Sequence, residues 1–140
     1  MIVVPFKYTH LENLKLQDAQ AYLSGWVTKE QGEALEKFPS YTALIDGTPI
    51  VCAGIIKQWH GRAMAWSFIS DVGTNNFMSV HRAVKRFLDG CYIQRIEMTV
   101  DCDFEPGHRW ARALGFTMEA ECMRAYSPGG GDCSLYARVL

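Results

Sequence analysis

The hydrophobic pattern changes period several times along the chain, and each change marks an element. Residues 2–6 are apolar and β-branched and predict a short strand. Thr9, with Glu12 three residues later, offers a capping box. Leu11, Leu14, Leu16, Tyr22 and Leu23 then predict a loosely amphipathic helix over 10–23, with Gly25 as its stop. Thr28 and Gln31 form a second capping-box pair, which opens a helix to about Phe38 before Pro39. The centre reads as a meander. Strands at 41–45, 50–57 and 62–69 are joined by turns at Asp46 with Gly47 and at His60 with Gly61. Ile50 to Ala53 and Ala63 to Trp66 are apolar without alternation, which predicts a sheet covered on both sides.

A polar segment over 70–76 leads into a helix carrying Phe77, Val80, Val84, Phe87 and Leu88 on one stripe, closed by Asp89 and Gly90. Ile96, Met98 and Val100 alternate with Arg95, Glu97 and Thr99, the pattern of a half-polar strand. Residues 105–114 predict a short helix, with Pro106 in its first turn and Gly115 as its C-cap. Strands at 118–126 and 133–139 flank Pro128, Gly129, Gly130 and Gly131, which read as a flexible hairpin tip. The order is β-α-α-β-β-β-α-β-α-β-β, without internal repeat or linker. It predicts a single α/β domain over 1–140.

Composition narrows the classes. A chain of 140 residues buries roughly two-thirds of its unfolded surface and needs no staple. With 49% hydrophobic and 21% charged residues it is not a disordered chain. Fourteen basic against fifteen acidic residues give a net charge of -1, which removes a strongly basic nucleic-acid binder from the default readings. No apolar run approaches the ~20 residues of a membrane span, and the start lacks the basic region of a signal peptide. Cys52, Cys91, Cys102, Cys122 and Cys133 are odd in number and show no CxxC spacing, and His10, His60, His81 and His108 are scattered. Reduced thiols in a cytoplasmic setting, with no metal site, are expected.

The order of elements and the run His108 to Phe116, with Leu114, Gly115 and Phe116 ahead of the sixth strand, resemble the GNAT fold of acetyl-CoA-dependent N-acetyltransferases. The resemblance covers nearly the whole chain. It implies a mixed, mostly antiparallel sheet with helices on both faces, splayed between its fourth and fifth strands. Here the cleft would lie between 65–70 and 97–101. A narrower resemblance is to the small GNAT-like internal virion or morphogenesis proteins of short-tailed bacteriophages. It rests on Trp66, Ser67, Phe68, Ile69, Ser70 and Asp71, and on Lys85, Arg86, Phe87 and Leu88.

The GNAT resemblance places the coenzyme A pyrophosphate at the start of the central helix, where backbone N–H groups and the helix dipole meet an anion. The corresponding residues are Ile69, Ser70, Asp71, Val72, Gly73, Thr74, Asn75 and Asn76. They hold one glycine, no leading Arg or Gln, and an acidic Asp71. The segment reads either as a degenerate phosphate loop or as a helix start capped by Asn75 or Asn76. Arg82, with His81, Lys85 and Arg86, offers a 3′-phosphate contact, a contact to an acidic partner surface, or a solvated face. The family's leaving-group acid, a Tyr four residues before the Gly, is replaced by Ala111. Glu97, Asp101 and Asp103 are candidate bases that also read as surface carboxylates. His60 reads as a turn residue, and His108 as a partly exposed or capping residue; either is chemically able to act as a base. No Walker loop, GxSxG elbow or HExxH occurs. Trp66 and Trp110 fit core or cleft walls, and Trp59 stands near a turn. The strand at 133–139 is taken as an edge that a second copy could pair with.

Two functions are carried forward. One is transfer of an acetyl group from acetyl-CoA to a primary amine on a protein or a small molecule. The other is a catalytically degenerate scaffold that binds a host or virion protein, in the host cytoplasm or the virion. No catalytic residue is assigned.

Overall fold

The computed structural model describes residues 1–16, 20 and 27–140. Seven strands hydrogen-bond in the order β1-β2-β3-β4-β5-β7-β6. The chain divides into two compact units, Met1–Ile56 with Ala65–Ala83 and Lys57–Met64 with Val84–Leu140. Among the described residues no helix is long and apolar enough to cross a membrane.

The first unit begins with β1 (Ile2–Pro5), which runs antiparallel to β2 (Ser40–Ile45). β2 pairs antiparallel with β3 (Thr48–Trp59), which fits one extra residue, Ile50, opposite Ala43/Leu44. Asp46 and Gly47 join them at φ 50° and 77°. These are the left-handed angles of a type I′ turn, which matches the twist of the strands it joins. Phe6, Leu14 and Cys52 form a buried cluster, with Leu11, Leu16, Leu35, Trp66 and Phe68 packed against it. The Phe6 and Trp66 rings meet edge to face at 5.2 Å. α2 (Lys29–Leu35) opens on the expected box: Thr28 Oγ1 accepts from Gln31 N–H and Gln31 Oε1 accepts from Thr28 N–H. It stops at Leu35, earlier than expected, and the Ser40 hydroxyl stands 3.0 Å from both the Leu35 and Phe38 carbonyls.

The helix expected over 10–23 is different in the structure. α1 spans Tyr8–Glu12 and begins at Lys7, whose N–H donates to His10 Nδ1, so Thr9 and Glu12 are not its capping pair. Leu14 is buried outside any helix, and Leu16 bridges to Ser70. Tyr22, Leu23, Gly25 and Trp26 lie outside the described residues.

The second unit holds the hairpin at His60 and Gly61 and the first half of β4 (Arg62–Ile69). Arg62, Ala63 and Met64 run parallel to Arg95, Ile96 and Glu97 of β5 (Arg95–Asp101). β7 (Cys133–Val139) lies between β5 and β6 (Thr117–Met123), antiparallel to both. The expected edge strand at 133–139 is therefore an interior one, and its backbone groups are engaged on both sides. β6 ends at Met123 rather than 126, because Ala125 turns the chain at φ 52°. The Gly-rich tip is tied down by Tyr126, Ser127 and Gly130 N–H bonds to Gly131 and Ser127 carbonyls. α5 (Glu105–Ala113) ends at Leu114, and Gly115 at φ 92° reverses the chain into Phe116, which is buried with Leu114 and Ala111.

Candidate functional site

β4 runs into two helices in succession, α3 (Asp71–Asn75) and α4 (Phe77–Asp89), where the sequence predicts one. Ser70 is the reason the first begins. Its N–H donates to Ile50 O at 2.9 Å, its Oγ accepts from Gly73 N–H at 3.1 Å, and its carbonyl accepts from Thr74 N–H at 3.0 Å. Asn76 leaves helical geometry at φ -109°, ψ 28°, and separates the two. Its side-chain amide donates back to Val72 O at 2.8 Å, and its carbonyl accepts from Ser79 and Val80 N–H to open α4. Gly73 is buried because α3 lies directly on β3: a Cβ there would stand 2.6 Å from Ile50 O.

The expected cofactor residues thus divide by environment. Ile69 is buried at the end of β4, its N–H given to Gln20 Oε1 at 2.8 Å. The N–H groups of Gly73, Thr74 and Asn76 are engaged within the turn. Asp71, Val72, Thr74 and Asn75 are exposed, and Asn76 is half-buried. α4 opens on the Asn76 carbonyl, and the start of a helix carries positive potential. Arg82 is exposed, four residues after Met78, and lies on the same helix stripe as Met78 and Arg86. Lys85 belongs elsewhere, held 2.9 Å from Asp89.

Of the candidate bases, Glu97 needs correction. It is buried rather than a surface carboxylate. Arg62 grips it with Nε and Nη2, both at 2.9 Å, and Arg95 Nε adds a third contact at 2.7 Å. Arg62, against the cost of burial and with help from Arg95, holds its carboxyl down at about 2. A carboxylate held so acidic has little affinity for a substrate proton. Arg95 extends the network to Glu119 at 2.6 Å, and Arg62 lies 4.5 Å over the exposed Trp59 ring. Trp59, His60, Arg62, Arg95 and Val139 line an open groove of about 310 Å³. Asp101 accepts the Cys133 thiol at 3.4 Å, and Asp103 is exposed.

His108 is a second correction: it is buried, 6% exposed. Its Nε2 faces the Cys102 carbonyl at 3.0 Å, which can only accept, so the proton sits on Nε2. In the neutral ring Nδ1 then accepts from the Tyr136 hydroxyl at 2.7 Å. Tyr136 lies 28 residues away on β7, beyond the reach of any local pattern around His108. Tyr136→Phe is expected to cost about 1–2 kcal/mol in urea unfolding, the penalty of leaving a buried acceptor unpaired. Unchanged stability would mean that the pair contributes nothing.

A parallel network in the first unit joins His10 Nδ1 to Thr42 Oγ1 at 2.8 Å, with Cys52 Sγ 3.7 Å beyond. Because His10 Nδ1 already accepts from Lys7 N–H, Thr42 is the donor to it. Burial pushes the Cys52 thiol up to about 11, which makes it inert at neutral pH. Ala111, at the position of the family's Tyr, is fully buried. Among the described residues no cluster of three or more His, Cys, Asp or Glu is arranged to hold a metal.

Neither any family model nor any curated protein sequence matches the chain. Solved structures do match. Ard1 from Thermoplasma volcanium is similar over 99% of this chain and 97% of its own, with a TM-score of 0.79 at 14% identity. YncA from Salmonella typhimurium, described as an acetyltransferase and solved with its cofactor acetyl-CoA, matches over 100% and 94% with a TM-score of 0.75 at 12% identity. A GNAT-family acetyltransferase from Streptococcus pneumoniae matches over 99% of both chains with a TM-score of 0.70 at 13% identity. Together with the seven-stranded mixed sheet, these likenesses give the chain the fold of the GNAT acetyltransferases.

Proposed function

We propose that the chain is a GNAT-type N-acetyltransferase, with acetyl-CoA as donor and a primary amine as acceptor. The observation that carries this reading is the turn from β4 into α3 and α4, which sets the start of a 13-residue helix beside an exposed Arg82. The residues present fit a phosphate group in kind: a positive helix end and a guanidinium. The exposed Asn75 side chain and the opening of α4 would hold the pyrophosphate, and Arg82 a further phosphate. Acetyl-CoA, when bound, supplies an activated thioester. This chain's own contribution is then to position and to exclude water, since Glu97 is bound to two arginines and Ala111 has no proton to give.

A second reading has its own support. The amides of Gly73, Thr74 and Asn76 are engaged by Ser70 and Val72, and Asp71 stands exposed beside them. These features favour a scaffold that has given up catalysis and binds a host or virion protein.

Calorimetric titration with acetyl-CoA separates the two. Saturable binding that Arg82→Glu weakens about tenfold, through loss of one charge-assisted contact, is the expected result. Arg82 is exposed, so the variant's fold should be unchanged. Absence of binding at millimolar acetyl-CoA would end the enzyme reading and leave the scaffold.

A further inference from the structure

Three of the five cysteines gather where β5, β7 and β6 come together, and neither the GNAT fold nor acetyl transfer calls for them there. Cys102 follows β5, its N–H bonded to Asp132 O at 3.0 Å. Its Sγ reaches Glu121 O at 3.5 Å and Ser134 Oγ at 3.8 Å, and so spans β7 to arrive at β6. β6 is bulged at this point. Ala120 pairs with Leu135 and Met123 with Cys133, so one more residue is fitted on β6 than on β7. The displaced residues are Glu121 and Cys122: Cys102 Sγ reaches the carbonyl of the first, and Cys122 Sγ reaches Asp132, whose own carbonyl holds the Cys102 N–H. Cys122 is exposed, Cys102 half-buried, and Cys133 buried with its thiol directed to Asp101. One thiol is therefore open to solvent, and a second, half-buried thiol belongs to the same cluster.

We propose that Cys102 and Cys122 form a dithiol site that exchanges with low-molecular-weight disulfides and closes to an intramolecular disulfide between the end of β5 and β6. The exposed Cys122 thiolate attacks one sulfur of the small disulfide RSSR and expels RS⁻, giving a mixed disulfide on Cys122. The Cys102 thiolate then attacks Cys122 Sγ and expels the second RS⁻. The two thiol protons go to the two leaving thiolates. The sum is two protein thiols and one RSSR giving one protein disulfide and two RSH.

Asp132 sets the pace. Its Oδ2 accepts the Cys122 thiol proton at 3.6 Å, while Oδ1 holds Ala125 N–H at 2.9 Å. Desolvation, the Cys102 thiol and the Asp132 carboxylate all push Cys122 up from the usual thiol range. Less thiolate means slower attack.

The cysteines fall in separate tryptic peptides, 96–109 for Cys102, 113–124 for Cys122 and 125–138 for Cys133. The folded protein is incubated with glutathione disulfide, quenched in acid, alkylated and digested. The expected product is peptide 96–109 joined to 113–124. Cys102→Ser should stop at a glutathione adduct on Cys122, and Cys122→Ser should leave Cys102 free. Asp132→Asn should speed disulfide formation about 3- to 10-fold. Native protein that keeps all its thiols, a 113–124 to 125–138 link in its place, or cross-linking only between molecules would each overturn the proposal.

Discussion

Glu97→Ala is expected to lower stability by about 3 kcal/mol at pH 7, because the variant leaves Arg62 and Arg95 side by side without the carboxylate between them. Both guanidiniums are less than a third exposed, so water restores only part of the loss. The pH dependence provides an independent measure of the same interaction. The Glu97 carboxyl stands at about 2 in the folded chain against 4.5 as its ordinary value. A depressed carboxylate contributes its stability above the unfolded value and loses it as pH falls toward the folded one. Urea unfolding at a series of pH values should therefore show the native chain weakening between about pH 5 and pH 2. The gap between native chain and variant should close over that window. Curves that stay parallel to low pH would show that Glu97 is not the group being protonated.

Gly73→Ala is expected to cost about 2–4 kcal/mol. The new methyl would stand 2.6 Å from Ile50 O, 2.8 Å from Ile69 Cγ2 and 3.0 Å from Val51 Cγ2. The first of these is backbone and cannot rotate away. Relief requires α3 to lift from β3, which lengthens the Ser70 N–H bond to that same Ile50 carbonyl. Thermal unfolding should show a fall of about 6–12 °C for a chain of this size. The measurement also bears on the site. A glycine kept for close approach of a phosphate would, when replaced, lose cofactor binding with stability intact. A glycine kept for packing loses stability first. Unfolding and acetyl-CoA titration on the same variant tell these apart, and the packing distances favour the second outcome.

Local chemistry was readable from the sequence wherever it decided the structure. Asp46 with Gly47, the Thr28 and Gln31 box, the stripe of α4 and the reversal at Gly115 depend on neighbours a few residues apart. The span of β7 follows from its apolar and polar pattern alone. What escaped was set by distant partners. Leu11, Leu14 and Leu16 have helical spacing, but Leu14 enters the core from a loop and Leu16 bridges to Ser70, so packing overrides periodicity. Glu97 sits among alternating polar residues and reads as solvent-facing, because its partner Arg62 is 35 residues away. His108 was misread for the same reason, its partner Tyr136 lying on another element. The division into α3 and α4 did leave a trace, since Ser70 stands three residues before Gly73 in the manner of a cap. The dithiol left none, because Cys122 sits in a β6 bulge and bulges have no reliable residue signature.

The placement of β7 also governs how the chain can be made. β5 and β6 are both synthesised before the strand that belongs between them. Until residues 133–139 leave the ribosome, each presents an open row of backbone donors and acceptors, and they cannot pair with each other in their final order. The second unit must close its sheet late, by insertion rather than by stepwise addition. During that interval it offers other nascent chains two unfinished edges, the condition under which a chaperone has something to hold.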